Sequence, residues 1–325
     1  MQRRELLRYG GTAALGLIGA RSAQAQAYPP GAITLVLPLQ AGSASDVAVR
    51  HMAERLRVRM PNNSFVVENI AAAAGLVGLE RLSRAKPDGR TVAALNNSIV
   101  TILPHLQGRQ MKSDPRRDMV PVAGIANIPT FFAVPGNSPI KSIADLIKAA
   151  KAGRVTYASG GIGSPQHLAT EMFNAYTGVK LEHVPYRGAS QAALAVASGE
   201  VQVMSMALSL AQPFLADERV RLIGYCGSER HAQFRDMPTL QEAGVKGYDY
   251  SSWIALFLHR EAPEDALAEL RRQAQAVAQD REFQVQLIRS GLEPWVRDDK
   301  QLTQVVEQDY ARWQKIIRDA NITTT

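Results

Sequence analysis

The feature that most constrains this chain is a repeated alternation of short apolar runs with longer stretches of helical periodicity. Ile33-Thr-Leu-Val-Leu37 ends at Pro38, a small-residue loop follows over 40–45, and Val49, Met52, Ala53, Leu56 and Met60 then fall at i, i+3, i+4, i+7 and i+11. That is a strand, a tight loop and a helix. The pattern recurs at 65–67 before a Gly/Ala-rich helix, at 91–95 before the turn Asn96-Asn97-Ser98, and at 131–134 before a helix from Ser142. It continues at 154–157 with a helix after Ser164, at His183-Val184 with a helix from Ala189, and at 201–204 with a helix near Leu208. Alternating strands and helices predict α/β layers with parallel sheets and helices on both faces. The last stretch differs: 264–279, 281–289 and 300–320 each carry helical apolar spacing, punctuated by Gly291 and Pro294.

At 325 residues, 46% apolar and 21% charged, the chain excludes disorder, collagen-like structure and a disulfide scaffold, and its length favours roughly two domains. The net charge of +7 does not mark a nucleic-acid partner. Residues 1–27 carry Arg3, Arg4, Arg8 and Arg21 against Glu5. The other 298 residues hold 33 basic and 29 acidic side chains with no basic stripe.

Residues 1–8 form a charged n-region, and 9–20 an uncharged, mostly small and apolar stretch. Ala23-Gln-Ala25 and Ala25-Gln-Ala27 follow as cleavage signals. This reads as an export signal over 1–27, cut after Ala25 or Ala27, with a mature chain beginning near Tyr28 in the periplasm. Arg3-Arg4 leaves both a twin-arginine and an ordinary Sec signal open. Cys226, the lone cysteine, reads as a buried thiol.

Two loops have the design of anion sites at helix starts. In 38–46, Ser43 can cap the helix with Asp46 three residues on. In 158–167, Ser164 reads as the N-cap, Pro165 as the first helical residue and His167 as the third. Capping alone accounts for Ser43, Asp46, Ser164 and Pro165. Gly160, Gly161 and Gly163 ask for more, because they let backbone N–H groups approach something closely; a small carboxylate is the natural occupant. Catalytic patterns are missing from the sequence. The six histidines lack metal spacing, there is no P-loop or G-x-S-x-G elbow, and Gly161-Ile-Gly163 fails as a dinucleotide fingerprint because residue 166 is Gln. The expectation is a protein that is no enzyme and needs no cofactor or metal.

Read together, the segments resemble the substrate-binding proteins of tripartite tricarboxylate transporters, the Bug or TctC family. The resemblance rests on Tyr28-Pro29, 33–46, Lys86-Pro-Asp-Gly89, Val120-Pro-Val-Ala123, 157–168, His183-Val-Pro-Tyr-Arg-Gly188, 237–244 and Ser251-Ser-Trp253, and it spans 28–322. It implies a two-lobed clamshell of the type II-like periplasmic-binding-protein kind, each lobe a mixed, mostly parallel sheet flanked by helices. The lobes would be 28–127 plus 253–325, and 128–252, with crossings near 125–130 and 245–255.

The resemblance also implies that Leu39, Gln40, Ala41, Ser43, Ala44 and Asp46 face Gly161, Gly163, Ser164, Gln166 and His167 around one carboxylate. Tyr157, Asn96, Ser98 and Tyr186 would stand nearby by position. Where family members that bind amino acids carry an Asp for the ammonium, this chain has Met206. Met206 either walls the cleft or points into the core. The first alternative favours an aromatic or aliphatic mono- or dicarboxylate over an amino acid. The implied role is delivery to membrane permease subunits by a monomer that binds no nucleic acid. Presentation of the ligand to a sensor kinase is the other role such a clamshell can serve.

Overall fold

The computed structural model describes residues 28, 31–319 and 322; the export signal expected over 1–27 lies outside them. Eleven strands form among the described residues: β1 (Gly31–Leu37), β2 (Asn63–Asn69), β3 (Thr91–Asn96), β4 (Met119–Asn127), β5 (Thr130–Pro135), β6 (Thr156–Ser159), β7 (Glu182–Pro185), β8 (Met204–Ala207), β9 (Val220–Tyr225), β10 (Trp253–His259) and β11 (Glu293–Pro294). One six-stranded sheet has the order β11-β4-β10-β3-β1-β2. A three-stranded sheet, β8-β5-β9, and the pair β6-β7 build the second lobe, tied together where Tyr157 bridges Val203.

The balance of pairing differs from the mostly parallel sheets implied above. β1 runs parallel to β2 and β3, and β6 parallel to β7, but β10 is antiparallel to both β3 and β4, β11 to β4, and β5 to β8 and β9. The cause is the crossing topology. A chain that leaves a lobe and returns inserts its returning strand against neighbours already laid down, without a helical crossover to restore the direction.

Strand alternation supplies two cores to the large sheet. Ile33, Leu35 and Leu37 of β1, with Ile254, Leu256 and Leu258 of β10, pack on helices Ala44–Arg59, Glu264–Ala278 and Arg281–Arg289. Val36, Leu95, Trp253, Ala255 and Phe257 face the other way, against Leu79, Leu82 and Trp295. The periodic residues Val49, Met52, Ala53 and Leu56 are all buried, as their spacing predicts.

The crossings lie side by side: the Ile128 N–H donates to the Ser252 carbonyl at 2.8 Å. Helix Asp299–Asp319 does not belong to one lobe, as the division at 253–325 had it. Leu302 and Val306 enter the first lobe's core, while Trp313 and Ile316 pack with Phe132, Tyr157 and Tyr248 of the second. Its 21 residues span about 31 Å at 1.5 Å per residue, enough to strap both. No helix among the described residues is long and apolar enough to cross a membrane. Cys226 is fully buried, and burial pushes its thiol up to about 12.

Candidate functional site

A cleft of about 410 Å³ opens where the parallel strands end. It takes residues after β1 (Pro38 to Gln40, Ser43 to Ser45), after β2 (Ala71, Ala73, Ala74) and after β3 (Ser98, Ile99), all in the first lobe. From the second lobe come residues 160–166 after β6, Pro185 at the end of β7 with residues 186–189 after it, and Ser205 and Ala207 on β8. Ile128, Thr130, Tyr250 and Ser252 on and beside the crossings complete it.

Both serines cap their helices as read from the sequence. Ser43, at φ −72° and ψ 161°, accepts from the Asp46 N–H at 3.3 Å, and Ser164, at φ −66° and ψ 158°, accepts from the His167 N–H at 3.4 Å. A first helical turn leaves N–H groups without intrahelical acceptors. One cap oxygen per helix leaves the N–H groups of Ala44 and Ser45, and of Gln166, at the wall of the cleft. Two positive helix ends therefore converge on one space.

Asp46 is committed elsewhere. It is 3% exposed and accepts from the Gly42 N–H, Arg50 Nε and Asn69 Nδ2, each at 2.9 Å. Burial alone would raise its pKa, but these bonds hold it below the usual carboxylate value. The charge is spent on shaping the loop 40–43 and does not line the cleft.

The glycine loop is propped from behind. Ser159 Oγ accepts from the Gly161 N–H at 3.0 Å and lies 2.6 Å from His183 Nε2, while His167 Nδ1 accepts from the Gly163 N–H at 3.3 Å. The two imidazoles stand 4.6 Å apart, and Tyr157 stacks on His183 at 4.8 Å while donating to Glu171 at 2.6 Å. Desolvation lowers both histidines to about 4, helped at His183 by the neighbouring His167, so both are neutral at pH 7.

Of the residues expected at the site, Leu39, Gln40, Ser43, Ala44, Ser98, Gly161, Gly163, Ser164, Gln166 and Tyr186 line the cleft. Asp46, Asn96, Tyr157 and His167 are buried behind it, and Ala41 sits exposed on the loop tip. Met206 is fully buried in a core cluster with Phe131, Ala133 and Leu222. On β8, Ser205 and Ala207 face the cleft, so the pleat turns Met204 and Met206 inward. The apolar wall expected from Met206 is thus absent.

Sequence reading missed Ala73 and Ala74, whose φ values of 50° and 55° are unusual for residues with a Cβ, and also Gly188, Ser205, Tyr250 and Ser252. Strand alternation from Met204 could have found Ser205, and the Ser251-Ser-Trp253 segment pointed at Ser252 without giving it a role. Among the residues lining the cleft only Arg187 is charged, and it is exposed at the mouth. No group of three or more His, Cys, Asp or Glu able to hold a metal exists among the described residues.

The chain is similar to known proteins in sequence and in fold. Residues 48–322 match the model of the tripartite tricarboxylate transporter family receptor, TctC. A UPF0065 protein in the gbd 5' region of Cupriavidus necator is 30% identical over 326 residues, 98% of this chain and 97% of the relative. A solved structure described as R. palustris Rpa4515 with adipate superposes with a TM-score of 0.85 at 30% identity, covering 91% of this chain and 99% of that one. The periplasmic binding protein BugD follows at 0.84 and 25% identity, covering 91% and 99%.

Proposed function

This chain belongs to the tripartite tricarboxylate transporter receptor family, a family of periplasmic solute-binding proteins, and from that premise we propose that it captures a small organic carboxylate and delivers it to permease subunits in the membrane. The observation that carries the reading is the pair of capped helix starts, at Ser43 and Ser164, facing each other across one cleft with no acidic side chain on its walls. An anion there meets N–H and hydroxyl donors from both lobes. Each helix end contributes about 0.3–1 kcal/mol where exposed and up to about 2 kcal/mol in partly buried geometry. Binding from both sides favours the closed clamshell, the form a permease can distinguish from the empty protein.

An α-ammonium would find no carboxylate partner on these walls, and a desolvated ammonium without one is costly. The ligand is therefore a carboxylate without a cationic group. Adipate, bound in the R. palustris structure, is a suitable first candidate. No chemistry is performed on the ligand. Export to the periplasm, by the signal over 1–27, follows from the same reading.

The test is a thermal-shift screen of residues 28–325 against mono- and dicarboxylates, amino acids and neutral analogues. A ligand at about a thousand times its dissociation constant stabilises by about 4 kcal/mol. A shift with carboxylates and none with amino acids is expected. Stabilisation by amino acids alone, or by no carboxylate, would overturn the proposal. Deletion of the gene should abolish uptake of the ligand; retained uptake with lost induction would assign the protein to a sensor kinase instead.

A further inference from the structure

Three residues other than glycine hold a left-handed backbone among the described residues, and two of them are neighbours on the wall of the cleft. Ala73 and Ala74 have φ values of 50° and 55°, and Gly75 continues the turn at 94°. A Cβ makes this conformation sterically costly, and glycine avoids the cost. The third residue, Glu218, lies away from the cleft in an exposed turn after the helix Leu208–Leu215.

The turn is held from behind. The Ile70 N–H donates to the Leu37 carbonyl at 2.9 Å, which fixes the segment where it leaves β2. At its other end a Cβ on Gly75 would stand 3.0 Å from Ile99 Cδ1 and 3.2 Å from the Pro38 carbonyl oxygen, and one on Gly78 would stand 2.7 Å from Pro38 Cβ. Between these points the chain must turn sharply into the helix Leu76–Ser83, so the surroundings impose a conformation that alanine resists. Glycine at 73 or 74 would make the same turn with less strain. The Ala74 methyl, however, has a use. A Cβ on Gly163 would stand 2.9 Å from Ala74 Cβ, and no other atom outside its own chain neighbours would come within 4 Å. A methyl of the first lobe thus meets bare backbone of the second, on the glycine loop itself. Ala74 is half-buried and packs on the core that holds Leu79 and Ile99, whereas Ala73 is exposed.

We propose that Ala74 sets how long a captured ligand stays: its methyl seals the cleft against Gly163, and the left-handed strain is accepted because glycine at 74 would leave a gap there. This rests on the carboxylate reading of the helix starts and adds a residue that governs release. The contact joins lobe to lobe and lies outside the anion grip, so it acts only once the lobes have met around the ligand. Its loss therefore falls on dissociation and leaves association alone.

The experiment compares Ala73→Gly and Ala74→Gly with the wild type, by thermal melting without ligand and by stopped-flow kinetics with adipate, or with the most stabilising acid of the screen if adipate does not bind. Ala73→Gly relieves strain at an exposed position and should raise Tm by about 1–3 °C. Ala74→Gly gives up some packing as well and should melt no lower than the wild type. Dissociation should be about 3- to 10-fold faster in Ala74→Gly, with association within about twofold, and faster by a smaller factor in Ala73→Gly. A protein that is no less stable yet releases its ligand sooner is a result that general loosening of the fold does not produce. Unchanged dissociation in Ala74→Gly would overturn the proposal, and so would equal acceleration in both variants, which would assign the effect to chain flexibility. Failure of the wild type to bind any carboxylate would remove the anion reading and this inference with it, whereas binding with unaltered release removes this inference alone.

Discussion

Asp46 shows how a residue can be indispensable to a site it does not line. Its two oxygens gather the Gly42 N–H, Arg50 and Asn69, fixing the loop on which Ser43 and Ala44 ride. Arg50 is half exposed, so the ion pair itself is worth little; the buried bonds to Gly42 and Asn69 carry the effect. Asp46→Asn can satisfy only part of this set, and should cost about 1–3 kcal/mol. Urea denaturation with an unchanged slope checks it, and a loss under about 0.3 kcal/mol would sink the assignment. The caps at Ser43 and Ser164 were legible in the sequence because capping is local: an oxygen, a helix start and three residues settle it. Asn96, Tyr157, His167 and Met206 were not, because a sequence places a residue on a strand or helix more easily than it says which face meets the ligand. For Met206 the pleat decided, and for Tyr157 the helix Pro165–Thr177 packed over it.

At the scale of elements, the glycine loop of 160–163 depends on two neutral imidazoles. His167 must offer an unprotonated Nδ1 to the Gly163 N–H, and His183 meets Ser159, which holds Gly161. Both are lowered to about 4, against about 6.5 in an unfolded chain, so between those values the unfolded chain binds more protons. Stability should therefore fall as pH drops through 6.5 and level off below about 4. Loss from carboxylates such as Asp46, whose folded value is depressed, sets in from about pH 5 downward and is common to the wild type and the variant. Melting temperatures of the wild type and of His167→Gln with His183→Asn, taken from pH 7.5 to 4, test this. The double variant should show a flatter profile across that window, and parallel profiles would refute it. The strand and helix alternation that defines this loop was plain from periodicity. The antiparallel insertion of β10 between β3 and β4 was not, since pairing direction across the intervening chain, residues 97–252 for β3 and 128–252 for β4, leaves no local mark.

For the whole molecule, the two lobes meet across the mouth at three places. Ser190 Oγ donates to the Gly42 carbonyl at 3.0 Å, a Cβ on Gly163 would stand 2.9 Å from that of Ala74, and one on Gly188 would fall 2.3 Å from Gln40 Oε1. These contacts join the two lobes across the cleft, and the strapping helix Asp299–Asp319 and the paired crossings join them again on other sides. At Gly188, with φ −178°, any residue fits the backbone, so Gly188→Val obstructs closure without straining the chain. Small-angle scattering should show the wild type contracting when a tight carboxylate is added and the variant failing to contract, with affinity weakened about tenfold or more. Equal contraction in both would separate these contacts from closure.

The central claim, that one carboxylate is gripped between the helix starts at Ser43 and Ser164, is met most directly by a crystal structure of residues 28–325 with the most stabilising acid of the screen. The account predicts carboxylate oxygens within about 3.2 Å of N–H or hydroxyl donors in both 40–45 and 161–166, directly or through one water. A carboxylate held instead at the mouth by Arg187, with both helix starts unengaged, would contradict it.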